Sequence, residues 1–214
     1  MKHRIILSYL LNSLLKEAAM HLTSTHITAL KALIDQGSNQ AADVLNMMTG
    51  SDIRLQIPSV SMLDAHSEKN SLGDDHVSAV QLGFQGPFSG ISLLIFSLDN
   101  GAQLAAAITG EEPESPGFDD LRIEALTEVG NMVLNSVMGS IGNVLQLRLE
   151  YALPAYREAL IEHLLSPRTS GNDTATLIGQ TRFTIERLDF DGAIILVFTP
   201  DSARALVAAL DNLS

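Results

Sequence analysis

Apolar residues along this chain follow two spacings, and the spacing switches from helical to alternating twice, in the same order. Residues 27–49 and 120–143 read as long helices. In the second of these, Leu126, Val129, Val133, Val137 and Ile141 form a stripe at three- and four-residue intervals. Each helix is followed by a polar–apolar alternation that stops at a proline. The first runs from Ile53 to Pro58 and the second from Leu145 to Pro154, with the prolines 96 residues apart. Period-two alternation predicts a half-buried strand, and proline predicts its end.

Further on, two segments match at an offset of 102 residues: Gly90/Gly192, Leu94/Leu196, Phe96/Phe198, Asp99/Asp201, Leu104/Leu206 and Ala106/Ala208 coincide. Each copy reads as an apolar strand, then an aspartate able to cap an Ala-rich helix. Middle strands are expected over Val77–Phe84 and Thr176–Leu188. The change of offset implies about six extra residues in the second copy, with Ser166–Asp173 as the expected place.

The chain therefore reads as a duplication. The first half spans about 23–110, an acidic, Pro-rich connection covers 111–120, and the second half spans about 120–214. A helix-plus-meander unit buries its sheet poorly alone, and joining two of them solves the problem for both. The fold class expected is α/β (α+β): a single pseudo-symmetric domain of two helix-plus-antiparallel-strand units, since the connections are too short for parallel crossovers. Residues 1–22 stand apart as an amphipathic N-terminal helix, with Leu10, Leu11, Leu14, Leu15 and Ala18 at helical spacing.

Composition narrows the function. A net charge of −12 with only 13 Lys and Arg argues against nucleic acid and against anionic membrane surfaces, both of which need basic patches. The absence of cysteine removes thiolate metal sites and a cysteine nucleophile, and suits a reducing compartment. Asn12, Ser13, Lys16 and Glu17 interrupt the first apolar run, so neither a signal peptide nor a membrane span is expected. The expected location is the cytoplasm.

The candidate chemistry lies on the second helix. At about 100° per residue, Glu124, Glu128, Asn131 and Asn135 fall within roughly 60° of arc, opposite the apolar stripe. Such a helix would hold an acid and an amide on a rigid line facing water. Met47, Met48, Met132 and Met138 sit at helical positions and read as core. His3, His21, His26, His66, His76 and His163 show no spacing that pairs with the acids, and no phosphate-binding glycine loop is present.

The run Glu124-x-x-x-Glu128-x-x-Asn131, followed by 22 residues and Pro154, resembles the signature of the CheC/CheX/FliY family of chemotaxis phosphatases. That signature is Asp or Ser, three residues, Glu, two residues, Asn, about 22 residues, Pro. Glu-Val-Gly-Asn131 carries most of the likeness, and Gln40-Ala-Ala-Asp-Val-Leu45 resembles the first copy of CheC relatives. The likeness extends over most of residues 25–214. Two departures stand out. Position 124 is Glu, and an offset of 96 puts Thr28, Ala32, Asp35 and Asn39 where the second helix has Glu124, Glu128, Asn131 and Asn135. Only the second half looks equipped.

The resemblance implies a substrate, the phosphoaspartate of a CheY-like response regulator, with Mg²⁺ and a lysine supplied by that regulator and no cofactor of the chain's own. It implies catalytic roles for Glu128, pairing with the lysine, and Asn131, orienting the attacking water. Glu124 and Asn135 would be partner-binding, and Pro154 structural. A CheD-like protein is a second partner the resemblance admits. The alternative is a non-catalytic CheC-like binding module for a regulator or a flagellar partner.

Overall fold

A computed structural model describes residues 22–64, 76–165, 175–185 and 188–213. The expected helix before residue 22 and the expected insertion at Ser166–Asp173 lie outside the described residues.

The two long helices are α1 (Ser24–Thr49) and α3 (Phe118–Val144), with α2 (Leu98–Thr109), α4 (Ile161–Leu165) and α5 (Pro200–Asp211) between and after the strands. The strands are β1 (Ile53–Gln56), β2 (Val60–Asp64), β3 (His76–Gln85), β4 (Gly90–Ser97), β5 (Glu150–Tyr151), β6 (Ala155–Leu160), β7 (Ala175–Ile185) and β8 (Leu188–Phe198). They form one sheet in the order β1-β7-β8-β4-β3-β5, with β2 also on β7 and β6 also on β3. Every pairing is antiparallel.

The repeats meet at the centre of this sheet. In the β4–β8 ladder, Leu93 faces Ile195, so residues 102 apart sit directly opposite and the pseudo-twofold axis passes between them. The paired glycines of the repeat make room for aromatic rings. A Cβ on Gly192 would come 2.7 Å from the Phe96 ring, and one on Gly90 would come 2.8 Å from Phe84. Those rings pack edge-on, Phe96 with Phe183 and Phe84 with Phe198.

The halves are interlocked, which the repeat did not announce. β1 and β2 of the first half pair with β7 of the second, while β5 and β6 of the second half pair with β3 of the first. Both prolines divide an outer strand in two. Pro58 lies between β1 and β2, and Pro154 between β5 and β6. Proline cannot donate to the ladder, so pairing lapses there and resumes on the same neighbour. The expectation that each proline ends its strand is corrected to this extent.

The alternation from Leu145 is corrected further, since only Glu150 and Tyr151 pair. Gln146 turns at φ 55° and Leu147 N–H donates to Gly142 O at the helix end. Leu145 is buried while Gln146 and Arg148 are exposed, so the period-two pattern reports burial without a partner strand. The expected aspartate caps are also displaced. The N-caps are Ser97 and Thr199, whose hydroxyls accept from Asn100 N–H and Ser202 N–H. Asp99 and Asp201 occupy the first turn, where a negative charge suits the helix dipole.

One face of the sheet carries the main core with α1, α2, α3 and α5. The other face, Val77, Ala79, Leu93, Ile95, Ala193, Ile195 and Val197, is covered by Leu164 and Leu165 of the unanticipated α4. Each fully buried leucine contributes on the order of 2 kcal/mol. Met138 is buried and Met132 half-buried, but Met47 and Met48 are 78% and 62% exposed. The core reading fails for those two: Met47 faces away from the buried Ala41 and Leu45, and Met48 lies on their side of α1 but past Leu45, the last buried position of the helix. No described helix is long and apolar enough to cross a membrane.

Candidate functional site

Helix α3 is wedged between α1, α2 and the strands β3, β4 and β6. All five residues of the expected stripe are buried, and so are Gly130, Leu134 and Met138. Two close approaches set its depth. A Cβ on Gly130 would meet Val80 Cγ1 at 2.5 Å, so the helix backbone lies directly on β3. Where α1 crosses, a Cβ on Gly37 would meet Ser136 O at 2.7 Å.

A polar brace holds the first half of α3 to the sheet. The Arg122 guanidinium, 14% exposed, lies 2.9 Å from Glu158 Oε1 on β6 and 3.3 Å from Asp119 Oδ1. Tyr156 donates its hydroxyl to Glu158 at 2.7 Å and lies 3.1 Å from Ser78 Oγ. Burial pushes the Tyr156 hydroxyl up to about 12, opposed by the Ser78 hydrogen bond and helped by the one to Glu158. Arg122 and Glu158 are 36 residues apart, with no local spacing to betray them, and sequence reasoning missed the brace.

The four candidate residues do share one face of α3, at two depths. Glu124 and Glu128 are exposed, and among the described residues neither carboxylate has a hydrogen-bond or ion-pair partner. Asn131 and Asn135 are half-buried, deeper than a face fully open to water. The reason is the breadth of burial around α3, which extends through Leu134 and Met138 toward the asparagine side. Asn135 Nδ2 donates to Asn131 Oδ1 at 2.7 Å and to Asn131 O at 2.8 Å. Among the described residues, Asn131 Nδ2 has no partner. The arrangement is a free carboxylate one turn from a carboxamide anchored through its oxygen, on a helix fixed by the core.

The first helix is different at the matching positions. Ala32 is exposed, and Lys31 Nζ pairs with Asp35 Oδ2 at 2.6 Å. Thr28 donates to Ser24 O within its own helix. A threonine and an alanine stand where α3 presents free acids, and an aspartate already paired with Lys31 stands where it presents Asn131. Pro154 is half-buried between β5 and β6. No group of three or more metal-ligating side chains occurs among the described residues. A shallow cleft lined by Gly139, Gly142, Asn143, Arg148 and Tyr151 lies about two turns beyond Asn131 along α3, and brings no second acid–amide pair.

No family model matches the chain. CheC1 of Halobacterium salinarum, a provisionally assigned CheY-P phosphatase, is 24% identical over 150 residues, covering 66% of this chain and 75% of CheC1. Among solved structures, Thermotoga maritima FliY is similar with a TM-score of 0.69 at 17% identity, over 91% of this chain and all of FliY. The FliM middle domain from H. pylori gives 0.59 at 10% identity, over 89% of this chain and 99% of that domain. A chain of the CheX–CheY–BeF3–Mg complex from Borrelia burgdorferi gives 0.50 at 16% identity, over 77% and 97%. The class is thus the duplicated helix-and-antiparallel-sheet fold that these chemotaxis and flagellar proteins share. The sequence match to CheC1 points the same way as the fold, to a likeness with the CheC/CheX/FliY family.

Proposed function

We propose that the protein stimulates hydrolysis of the phosphoaspartate on a CheY-like response regulator, using one site on α3. The observation that carries this reading is the exposed Glu128 carboxylate, without a partner among the described residues, one turn from the anchored carboxamide of Asn131. CheC1 carries a CheY-P phosphatase assignment in its name, and the Borrelia structure joins CheX to CheY.

An aspartyl phosphate is a mixed anhydride, and its transfer to water asks for positioning and electrostatics more than covalent chemistry. The Asn131 carboxamide has a second oxygen lone pair, and an Nδ2 without a partner among the described residues, with which to hold a water in line with phosphorus. Glu128, charged and free, pairs with the regulator's lysine and sets the register of α3 on the regulator, whose Mg²⁺ belongs to the substrate. Glu124, one turn earlier, is an edge contact. A water-exposed ion pair is worth little, but one desolvated under an interface is worth more.

The direct test is single-turnover loss of phosphate from a phosphorylated receiver domain, with and without this protein. Acceleration supports the reading, and an unchanged rate at saturating protein rejects it. The second reading, an adaptor that binds a regulator or a flagellar partner without turnover, is left open by the FliM-like fold and would give no acceleration.

Two variants refine the assignment. Glu128→Gln keeps shape and removes charge, and is expected to weaken docking about thirtyfold or more, since truncating a desolvated pair costs roughly 2–5 kcal/mol. Rate against receiver concentration at two salt levels checks this; wild-type affinity and rate at both would leave Glu128 with no part. The double variant Asp35→Ala/Asn39→Ala is expected to leave turnover nearly unchanged. Losing the half-buried Lys31–Asp35 pair, an i,i+4 pair on one helix, should cost at most about 0.5 kcal/mol. A large loss of rate in protein that melts normally would reveal a working site on α1.

A further inference from the structure

We infer that Asn135 is the positioning residue of this site: its side-chain amide clamps the Asn131 carboxamide in the one orientation that leaves a water-holding edge free. The inference rests on the phosphatase reading and deepens it.

The geometry is specific. Asn135 sits one turn after Asn131 on the same helix, and its Nδ2 reaches both oxygens of Asn131, Oδ1 at 2.7 Å and the backbone O at 2.8 Å. A free asparagine side chain interchanges its oxygen and nitrogen by a half-turn of its last torsion, because that torsion is broad and roughly twofold. Donation from Asn135 removes the interchange. If Asn131 turned over, two NH₂ groups would face each other and the bond would become a repulsion. Oδ1 is therefore held against α3, keeping one lone pair unused, and Nδ2 is directed to the other side.

The bridging itself is held in place. Asn135 is half-buried, with Leu134 and Met138 buried beside it on the helix. Its second acceptor, the Asn131 carbonyl, belongs to the helix backbone and does not move. Neither of the two site acids is restrained in this way, as neither has a partner among the described residues. Of the four polar residues on the face, the one whose orientation decides a water's position is the one that is clamped. Pre-set orientation of this kind lowers a barrier without adding affinity, because it removes wrong geometries and leaves the number of contacts to the substrate unchanged.

The test is a double-mutant cycle on stimulated hydrolysis of a phosphorylated receiver domain, with Asn135→Ala, Asn135→Asp, Asn131→Ala and Asn131→Ala/Asn135→Ala. Positioning predicts that Asn135→Ala lowers kcat about five- to tenfold, as loss of one hydrogen bond would, with KM unchanged. Asn135→Asp should do worse, since a carboxylate facing Oδ1 favours the turned-over amide of Asn131. In the Asn131→Ala background, Asn135→Ala should have no further effect, which neither a docking contact nor a purely structural residue would show. A raised KM at unchanged kcat, or equal effects in both backgrounds, overturns the clamp in favour of partner contact or folding. An Asn135→Ala variant as active as the parent overturns it outright. If the parent protein itself gives no acceleration, the phosphatase reading falls and the clamp with it. Thermal unfolding of each variant separates lost orientation from lost fold, and Asn135→Ser serves in place of Asn135→Ala if the latter melts early.

Discussion

Asn131→Ala is expected to abolish most of the stimulated phosphate release, by about a hundredfold or more, in a protein that still folds. Removing one preorganised polar group aimed at a reacting centre costs about 10²–10³ in rate where such groups have been tested. The structural loss is much smaller. Asn131 lies opposite the buried stripe, and Asn135 keeps its bond to the Asn131 backbone carbonyl when the side chain goes. Stability should therefore fall by no more than about 1 kcal/mol. Phosphate release under single turnover, beside a thermal melt, checks both halves. A folded alanine variant that accelerates like the parent would remove Asn131 from the chemistry.

Gly130→Ala is expected to produce a large loss of stability for the addition of one methyl group. A Cβ there would lie 2.5 Å from Cγ1 of Val80, a residue 2% exposed on β3. Neither a helix backbone nor a buried β-branched side chain can retreat cheaply. Overpacking of this kind costs about 1–3 kcal/mol, or a melting point lower by roughly 2–4 °C for each kcal/mol in a protein of this size. Stimulated hydrolysis should fall too, because the helix that lifts from the sheet carries Glu128 and Asn131. Gly139→Ala is the control. Its Cβ would meet nothing within 4 Å, so alanine should be neutral or stabilise by up to about 1 kcal/mol through helix propensity. If both variants melt alike, the contact at Val80 does not set the depth of α3.

The two glycines show why some of the site was legible and some was not. Gly130 stands inside the Glu-Val-Gly-Asn run, so its place in a motif could be seen, but the reason for it, Val80 on a strand 50 residues earlier, could not. The face shared by Glu124, Glu128, Asn131 and Asn135 followed from helical geometry alone. The contact between Asn131 and Asn135 was available from their four-residue spacing and was passed over for a contact with a partner. Ser97 and Thr199 were likewise open to view, since they stand 102 residues apart like the aspartates preferred over them as caps.

Period and repetition by themselves determined the two long helices, the duplication, the antiparallel sheet and the face that carries the candidate chemistry. These are properties of one segment or of two copies compared, and local spacing encodes both. The sequence did not determine which strand pairs with which. Each half could have closed on itself, and only the tertiary structure shows β1 and β2 given to β7 while β5 and β6 go to β3. Nor could it show that Arg122 grips Glu158, or that Asn131 sits half-buried while Glu128 stands clear. Pairing and depth are decided by competition among distant surfaces for the same buried area. That competition is settled by the whole chain at once and leaves no period in any one part of it.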